Sequence, residues 1–206
     1  MPKVAYSEEE RKHIRTSLIT VGLDLMAKQG IQHTTVEQIY RKVGISRTFF
    51  YSFFQTKEDF VIETLYWQQP KIIAYAQKLM ADPALSWRDA VKQFLHACCY
   101  GEKNGIAVLT VEEQQHIFKR LSKESYRIFR QKQIQLFRKI LESFGIKADE
   151  KVIGLFTNLS LTAMVIRRAL PNTLPLFVPE VADETVDFQL NAIVDALENL
   201  KKGSTA

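Results

Sequence analysis

Apolar and polar positions along this 206-residue chain repeat at helical spacing almost from end to end. Near the start, Ile14, Leu18, Val21, Leu25 and Met26 recur three or four residues apart. They follow Ser7-Glu8-Glu9-Glu10, a capping box in which serine and glutamate serve each other's backbone N–H groups. Gly30 closes that helix. Thr35-Val36-Glu37-Gln38 is a second box, opening a helix that reaches about Val43 before Gly44. Ser46 caps a short third helix running to Phe53, and Thr56-Lys57-Glu58-Asp59 opens a fourth. Three helices therefore fit within residues 7–54, the last two separated by a tight glycine turn.

Beyond Thr56 the pattern lengthens. The fourth helix is expected to reach Met80, with a bend at Pro70, whose ring opposes the carbonyl four residues back. Asp82-Pro83 ends it. Ser86 caps a helix with Trp87, Val91, Phe94, Leu95 and Cys98 on one face, and Gly101 to Gly105 ends that helix. Thr110-Val111-Glu112-Glu113 forms another box. From Ser122 to Phe144 a long helix carries Tyr126, Phe129, Leu136, Phe137, Ile140 and Phe144 on its apolar side. Asp149 begins a helix ending before Pro171, the stretch Pro171 to Ala182 reads as irregular, and Asp183 begins a last helix reaching about Lys201. No strand-period alternation or internal repeat is present. The expected fold is all-α, with about nine helices.

Composition changes this picture little. Apolar residues make up 46% and charged residues 25%, as in a globular protein. No apolar run approaches the roughly 18 residues of a membrane span, and Met1 to Glu10 lacks an export signal, so no membrane partner and a cytoplasmic location are expected. Cys98 and Cys99 are adjacent, so they cannot build a disulfide framework, and a bond between them would require local unwinding. The net charge of +5 permits a nucleic-acid partner without requiring one. The densest positive stretch, Lys119 to Lys139, lies far from the N-terminal helices. His13, His33, His96 and His116 are scattered, so no metal site is expected. No phosphate-binding glycine loop, nucleophile elbow or carboxylate pair appears. No cofactor is implied, and an enzyme is not expected.

Reading the major groove of DNA takes a short helix held against a supporting helix, with small or polar residues facing out. Residues 36–43, the Gly44 turn, the Ile45 anchor and Ser46 to Phe53 meet that requirement. Phe50 and Phe53 or Phe54 would face inwards, leaving Arg47, Thr48, Phe49, Tyr51 and Ser52 to project outwards. Across residues 30–60, Gly30, Thr34-Thr35-Val36, Ile39, Gly44-Ile45-Ser46, Phe50-Tyr51, Phe54 and Thr56-Lys57-Glu58 stand in one uninterrupted order. At these positions the chain resembles the TetR (AcrR-like) family of transcriptional regulators. The resembling motif covers about a quarter of the chain; the remainder matches in architecture alone.

The resemblance implies a three-helix DNA-binding domain with a helix-turn-helix over residues 1–55, and a helical ligand-binding and dimerisation domain over 56–206. It makes Thr35, Tyr51 and Lys57 phosphate contacts, and puts Arg47, Thr48 and Phe49 among the base-edge readers, with Ser46 and Ser52 on the same surface. Phe49 departs from the small or hydroxyl residue common there, and Tyr40 from a common alanine. Thr35 and Ser46 also serve as plain helix caps. Lys57 in a first helical turn opposes the helix dipole, which a phosphate partner would explain.

The remaining helices suggest sensing and pairing. Trp67, Tyr75, Phe94, Cys98, Phe118, Tyr126, Phe129, Phe156 and Met164 form an aromatic-rich stripe that reads first as core. Family architecture places a ligand cavity among these helices, which makes all but Phe156 candidate ligand contacts, for an apolar or amphipathic molecule. Lys123, Arg127, Arg130 and Arg138 read as a solvated face, with an acidic head group as the alternative partner. Arg167 and Arg168 suit the last turn of their helix. Val186, Leu190, Ile193, Val194, Leu197 and Leu200 form an apolar stripe on the last helix, the candidate homodimer surface together with Val152 to Leu170. The expected function is a ligand-responsive repressor on a palindromic operator in double-stranded DNA, released by a small effector. The rival is an all-α small-molecule binder or enzyme whose first helices merely bundle. That rival has no use for Arg47, Thr48 and Tyr51 facing outwards beside Lys57.

Overall fold

A computed structural model describes residues 6–169 and 178–203. Its helices are α1 (Glu8–Gln29), α2 (Val36–Val43), α3 (Arg47–Tyr51), α4 (Lys57–Met80), α5 (Trp87–Cys99), α6 (Gly101–Asn104), α7 (Val111–Arg120), α8 (Lys123–Ser143), α9 (Glu150–Ala169) and α10 (Ala182–Gly203). No strand occurs among the described residues. The capping boxes read at Ser7, Thr35 and Thr110 are all formed, each with both reciprocal hydrogen bonds, and Thr56 with Asp59 forms a further one. The fold class is all-α with an N-terminal helix-turn-helix.

Three boundaries differ from the sequence reading. Helix α3 stops at Tyr51 rather than Phe53, because the Ser52 and Phe53 N–H groups donate to the Phe49 and Phe50 carbonyls, three residues back, and tighten the last turn. The Gly101–Gly105 stretch forms one extra helical turn, α6, before Gly105 ends it. A 3-10 turn, Pro179–Val181, leads into α10 within the stretch read as irregular. Helix α4 reaches Met80 as expected, with Pro70 inside it. The prolines at 171 and 175 and the Arg168 side chain lie outside the described residues.

Two apolar clusters organise the molecule. The head cluster joins α1, α2, α3 and the first half of α4 around Leu18, Met26, Ile39, Phe50, Phe54 and Phe60. It extends to Ala107, Leu109, Ile117 and Phe129 of the body. Gly22 is required there, since a Cβ at that position would overlap the Phe60 ring. The second cluster fills the body between the second half of α4, α5, α8, α9 and α10. Helix α4 thus serves both cores.

The apolar stripe of α10 belongs to this second core. Val186, Leu190, Ile193, Val194 and Leu197 are all buried within the protomer, where α10 packs on α5 and α9. The sequence reading offered these residues to a partner chain, but a helix can satisfy its apolar face internally as well as across an interface. The exposed apolar side chains on the two terminal helices are Leu155, Leu159 and Phe188, the last 75% exposed.

Candidate nucleic-acid interface and enclosed cavity

The head presents its short helix α3 on a rigid support. Gly44 takes the left-handed conformation (φ 77°) that turns the chain between α2 and α3 with no Cβ penalty. Ser46 then accepts the Phe49 N–H at 3.1 Å, fixing the start of α3. Phe50 and Phe54 go inwards, as their spacing suggests, and meet Phe60 of α4. Thr35, Ser46, Arg47, Thr48, Tyr51 and Ser52 are exposed. The Arg47 guanidinium carbon lies 5.8 Å from the centroid of the Tyr51 ring, close enough for the ring face to help orient the cation.

Two sequence candidates sit differently. Phe49 is half-buried: its ring stacks on Tyr6 at 4.7 Å, meets Phe53 edge-on at 5.0 Å and lies under Arg11. Lys57 is half-buried as well, and its Nζ donates to the Ile31 carbonyl at 3.1 Å. Burial holds its ammonium below the ordinary lysine value, with Glu58 and Glu113 acting in the opposite direction. Lys57 therefore ties α4 to the loop before α2. The supporting roles of Tyr6 and Arg11 escaped the sequence reading, since nothing in their spacing links them to residues 49 and 53.

The body holds a partly open cavity of about 430 Å³ between α4, α5, α7, α8, α9 and the strap of residues 106–109. Phe94, Cys98, Phe118, Tyr126, Phe129 and Met164 line it, as the stripe suggested. Trp67 and Tyr75 do not line it. On α4 the inward positions are Leu65, Gln68, Gln69 and Ile72, which leaves Trp67 on the outer side, 41% exposed. Tyr75 packs on Phe94 instead, and Phe156 is core. The sequence reading passed over the polar lining: Gln68, Gln69, Gln114, Gln133 and Asn158. A lone glutamine on an amphipathic helix gives no sign of which way it faces. Gln68 clamps the strap, accepting the Ala107 N–H at 3.0 Å and donating to its carbonyl at 2.9 Å. Cys98 and Cys99 are both buried, and burial together with Cys99 pushes the Cys98 thiol far up, so it stays protonated.

Head and body meet along a polar seam. Glu113 of α7, 3% exposed, accepts the Gln32 N–H of the head and the Thr110 N–H of its own cap, both at 2.8 Å. Arg120 of α7 donates to Glu58 of α4 at 2.7 Å, and His116 Nε2 stands 3.5 Å from the same oxygen. Burial would raise the Glu58 carboxyl, but its own backbone N–H, Arg120 and His116 outweigh that and hold it below the ordinary range. Helix α7 also lends Gln114 and Phe118 to the cavity, so it touches cavity and head at once.

Residues 18–64, from α1 through the start of α4, match the family model of bacterial regulatory proteins, tetR family. The match covers the helix-turn-helix head, from α1 to the start of α4, and it is this head that is similar to the family. The head is thus a helix-turn-helix of the kind that binds DNA in bacterial regulatory proteins. The whole fold is shared with solved structures of low sequence identity. The reduced form of Escherichia coli NemR superposes with a TM-score of 0.56 at 15% identity, covering 91% of this chain and 96% of that one. A TetR transcriptional regulator from Legionella pneumophila gives 0.52 at 17% identity, covering 94% and 98%. A TetR-family transcriptional regulator from Streptomyces coelicolor gives 0.52 at 14%, covering 92% and 97%. No curated protein matches the chain by sequence. No helix among the described residues is long and apolar enough to cross a membrane.

Proposed function

We propose that this chain is a transcription regulator of the TetR family, a ligand-responsive repressor, cytoplasmic and homodimeric, that binds a palindromic operator and is released by a small apolar or amphipathic effector. One observation supports this above the rest. Helices α4 and α7 each touch both the reading head and the cavity, so a ligand that shifts either helix also shifts the reader. In this reading residues 1–55 form the DNA-binding unit and 56–206 the sensing and pairing unit. Thr35, Ser46, Tyr51 and Ser52 position the head on phosphates, and Arg47 and Thr48 read base edges. Phe49, supported from behind by Tyr6 and Arg11, offers its free edge to the groove. Lys57 reaches phosphate only by leaving the Ile31 carbonyl. Phe94, Cys98, Phe118, Tyr126, Phe129 and Met164 contact the effector.

Linkage then requires reciprocity: effector lowers operator affinity, and operator lowers effector affinity by the same factor. Couplings of about 1–3 kcal/mol correspond to roughly 5–150-fold. Selection from random duplexes with the purified protein should enrich a palindrome, and Arg47→Ala should alter the enriched bases, at a cost of about 1–3 kcal/mol for a bidentate contact. Selection that enriches nothing would refute the DNA reading.

The pairing surface in this proposal is the outer side of α9 and α10, where Leu155, Leu159 and Phe188 stand exposed. Phe188→Arg should leave the helical content unchanged and halve the sedimenting mass, because the ring has little to lose inside the protomer. A dimer that survives Phe188→Arg combined with Leu155→Arg pairs through some other face.

A further inference from the structure

The cavity's lining carries a chemical asymmetry. Its walls are largely apolar, and no aspartate or glutamate among the described residues contributes to them. Three of its polar groups are already engaged: Gln68 on Ala107, the Gln114 amide on the Leu109 carbonyl at 3.4 Å, and the Thr157 hydroxyl on the Ile153 carbonyl at 2.7 Å. Two groups are not. The Gln69 Nε2 is fully buried and donates to nothing among the described residues. An amide N–H kept from water without an acceptor is costly, so the site is incomplete without an acceptor atom. The second group is Arg130, the one cation on the lining among the described residues. Its neighbours along α8 are paired, Arg127 with Glu124 at 2.6 Å and Arg138 with Glu150 at 3.7 Å. Arg130 has no carboxylate partner among the described residues and is exposed, at the cavity's edge.

We propose that the cavity takes a mono-anionic amphipath, an apolar or aromatic body bearing a single carboxylate, with Arg130 pairing the anion and Gln69 donating to an acceptor oxygen of the ligand. This rests on reading the cavity as the effector site. A cationic amphipath would find no carboxylate to pair with and would face Arg130. A doubly charged head would exceed what one guanidinium and neutral amides neutralise. A lone carboxylate suits a guanidinium fork, which offers two parallel N–H donors.

Three probes of one shape test this by calorimetric titration of the full chain: 2-naphthoate, 2-naphthamide and 2-naphthylmethylammonium. Naphthoate should bind at least about tenfold more tightly than the ammonium probe. Arg130→Ala, at an exposed position, should abolish that preference while leaving naphthamide unchanged. Gln69→Leu should weaken naphthoate and naphthamide together, since both offer an acceptor. Equal affinities, a reversed order, no binding of any probe, or a preference that survives Arg130→Ala would each overturn the proposal. Repeating the titration with operator bound separates it from the regulatory reading. The expected ranking with no change on DNA binding sustains the ligand class and removes the switch. A change on DNA binding with the reversed ranking does the opposite.

Discussion

In the head, Phe50, Phe54 and Phe60 meet ring to ring with centroids 4.9 to 5.4 Å apart, and none is more than 2% exposed. In the body, Phe94, Phe118 and Phe129 stand around about 430 Å³ of open space. The same residue type is used to opposite ends. A surface that reads DNA must keep one shape, and interlocked rings supported on a rigid α4 provide it. A sensor must leave room and keep a second arrangement within reach, which a filled core forbids. Pockets of a few hundred Å³ are the usual size for small ligands.

The largest expected effect tests that contrast directly. Phe50→Ala should cost about 3–5 kcal/mol in chemical denaturation and abolish duplex binding, because tightly packed neighbours cannot collapse into the space. Phe118→Ala should cost less, roughly 1–2 kcal/mol, because one side of its ring already lacks partner atoms. Equal costs would mean that the body cavity closes in solution, and the contrast would fail.

Next in size is the seam between the two regions. Glu113→Ala breaks two part-buried hydrogen bonds and leaves the Gln32 and Thr110 N–H groups without their acceptor, a loss of about 1–2 kcal/mol. More telling is its effect on coupling. With α7 no longer pinned to the head, the ratio of operator affinities without and with effector should move towards one. An unchanged ratio would assign the coupling to α4 alone.

The two regions were also unequally legible in the sequence. In the head, each cap, the Gly44 turn and the inward Phe50 and Phe54 follow from local chemistry, and local chemistry is what a sequence records most plainly. In the body, the helices were legible from the same caps, but the direction of each side chain was not. Trp67 and Gln68 are neighbours, one on the outside and one clamping the Ala107 backbone, and only packing against α7 and α8 decides which is which. The α10 stripe failed for a related reason: Leu190 and Leu197 look equally suited to a partner chain or to α5 and α9. The Glu113–Gln32 bond joins residues 81 positions apart, so no local pattern announces it. Lys57 sits between these cases, its place in the first turn of α4 legible but its turn towards Ile31 not.

The smallest effect concerns charge at the seam, and it carries a sign that can be checked. Glu58 is nearly buried and its folded pKa lies below the unfolded value, ordinarily about 4.3. Between those two values the unfolded chain binds more protons, so stability rises with pH there. The contribution of Glu58 is thus complete above the ordinary carboxylate value and lost as pH falls through the folded one. Arg120 is 60% exposed, so solvent screens its share, and Arg120→Ala should cost only about 0.5–1 kcal/mol at neutral pH. On acidification below the folded pKa, where Glu58 is neutral in both states, the stabilities of wild type and Arg120→Ala should converge. Denaturation at several pH values between 7 and 3 checks this. A difference that stays constant across that range would mean that Arg120 holds α7 against α4 by the packing of its stem rather than by its charge. The seam would then join a packed head to an open body without any ionic link.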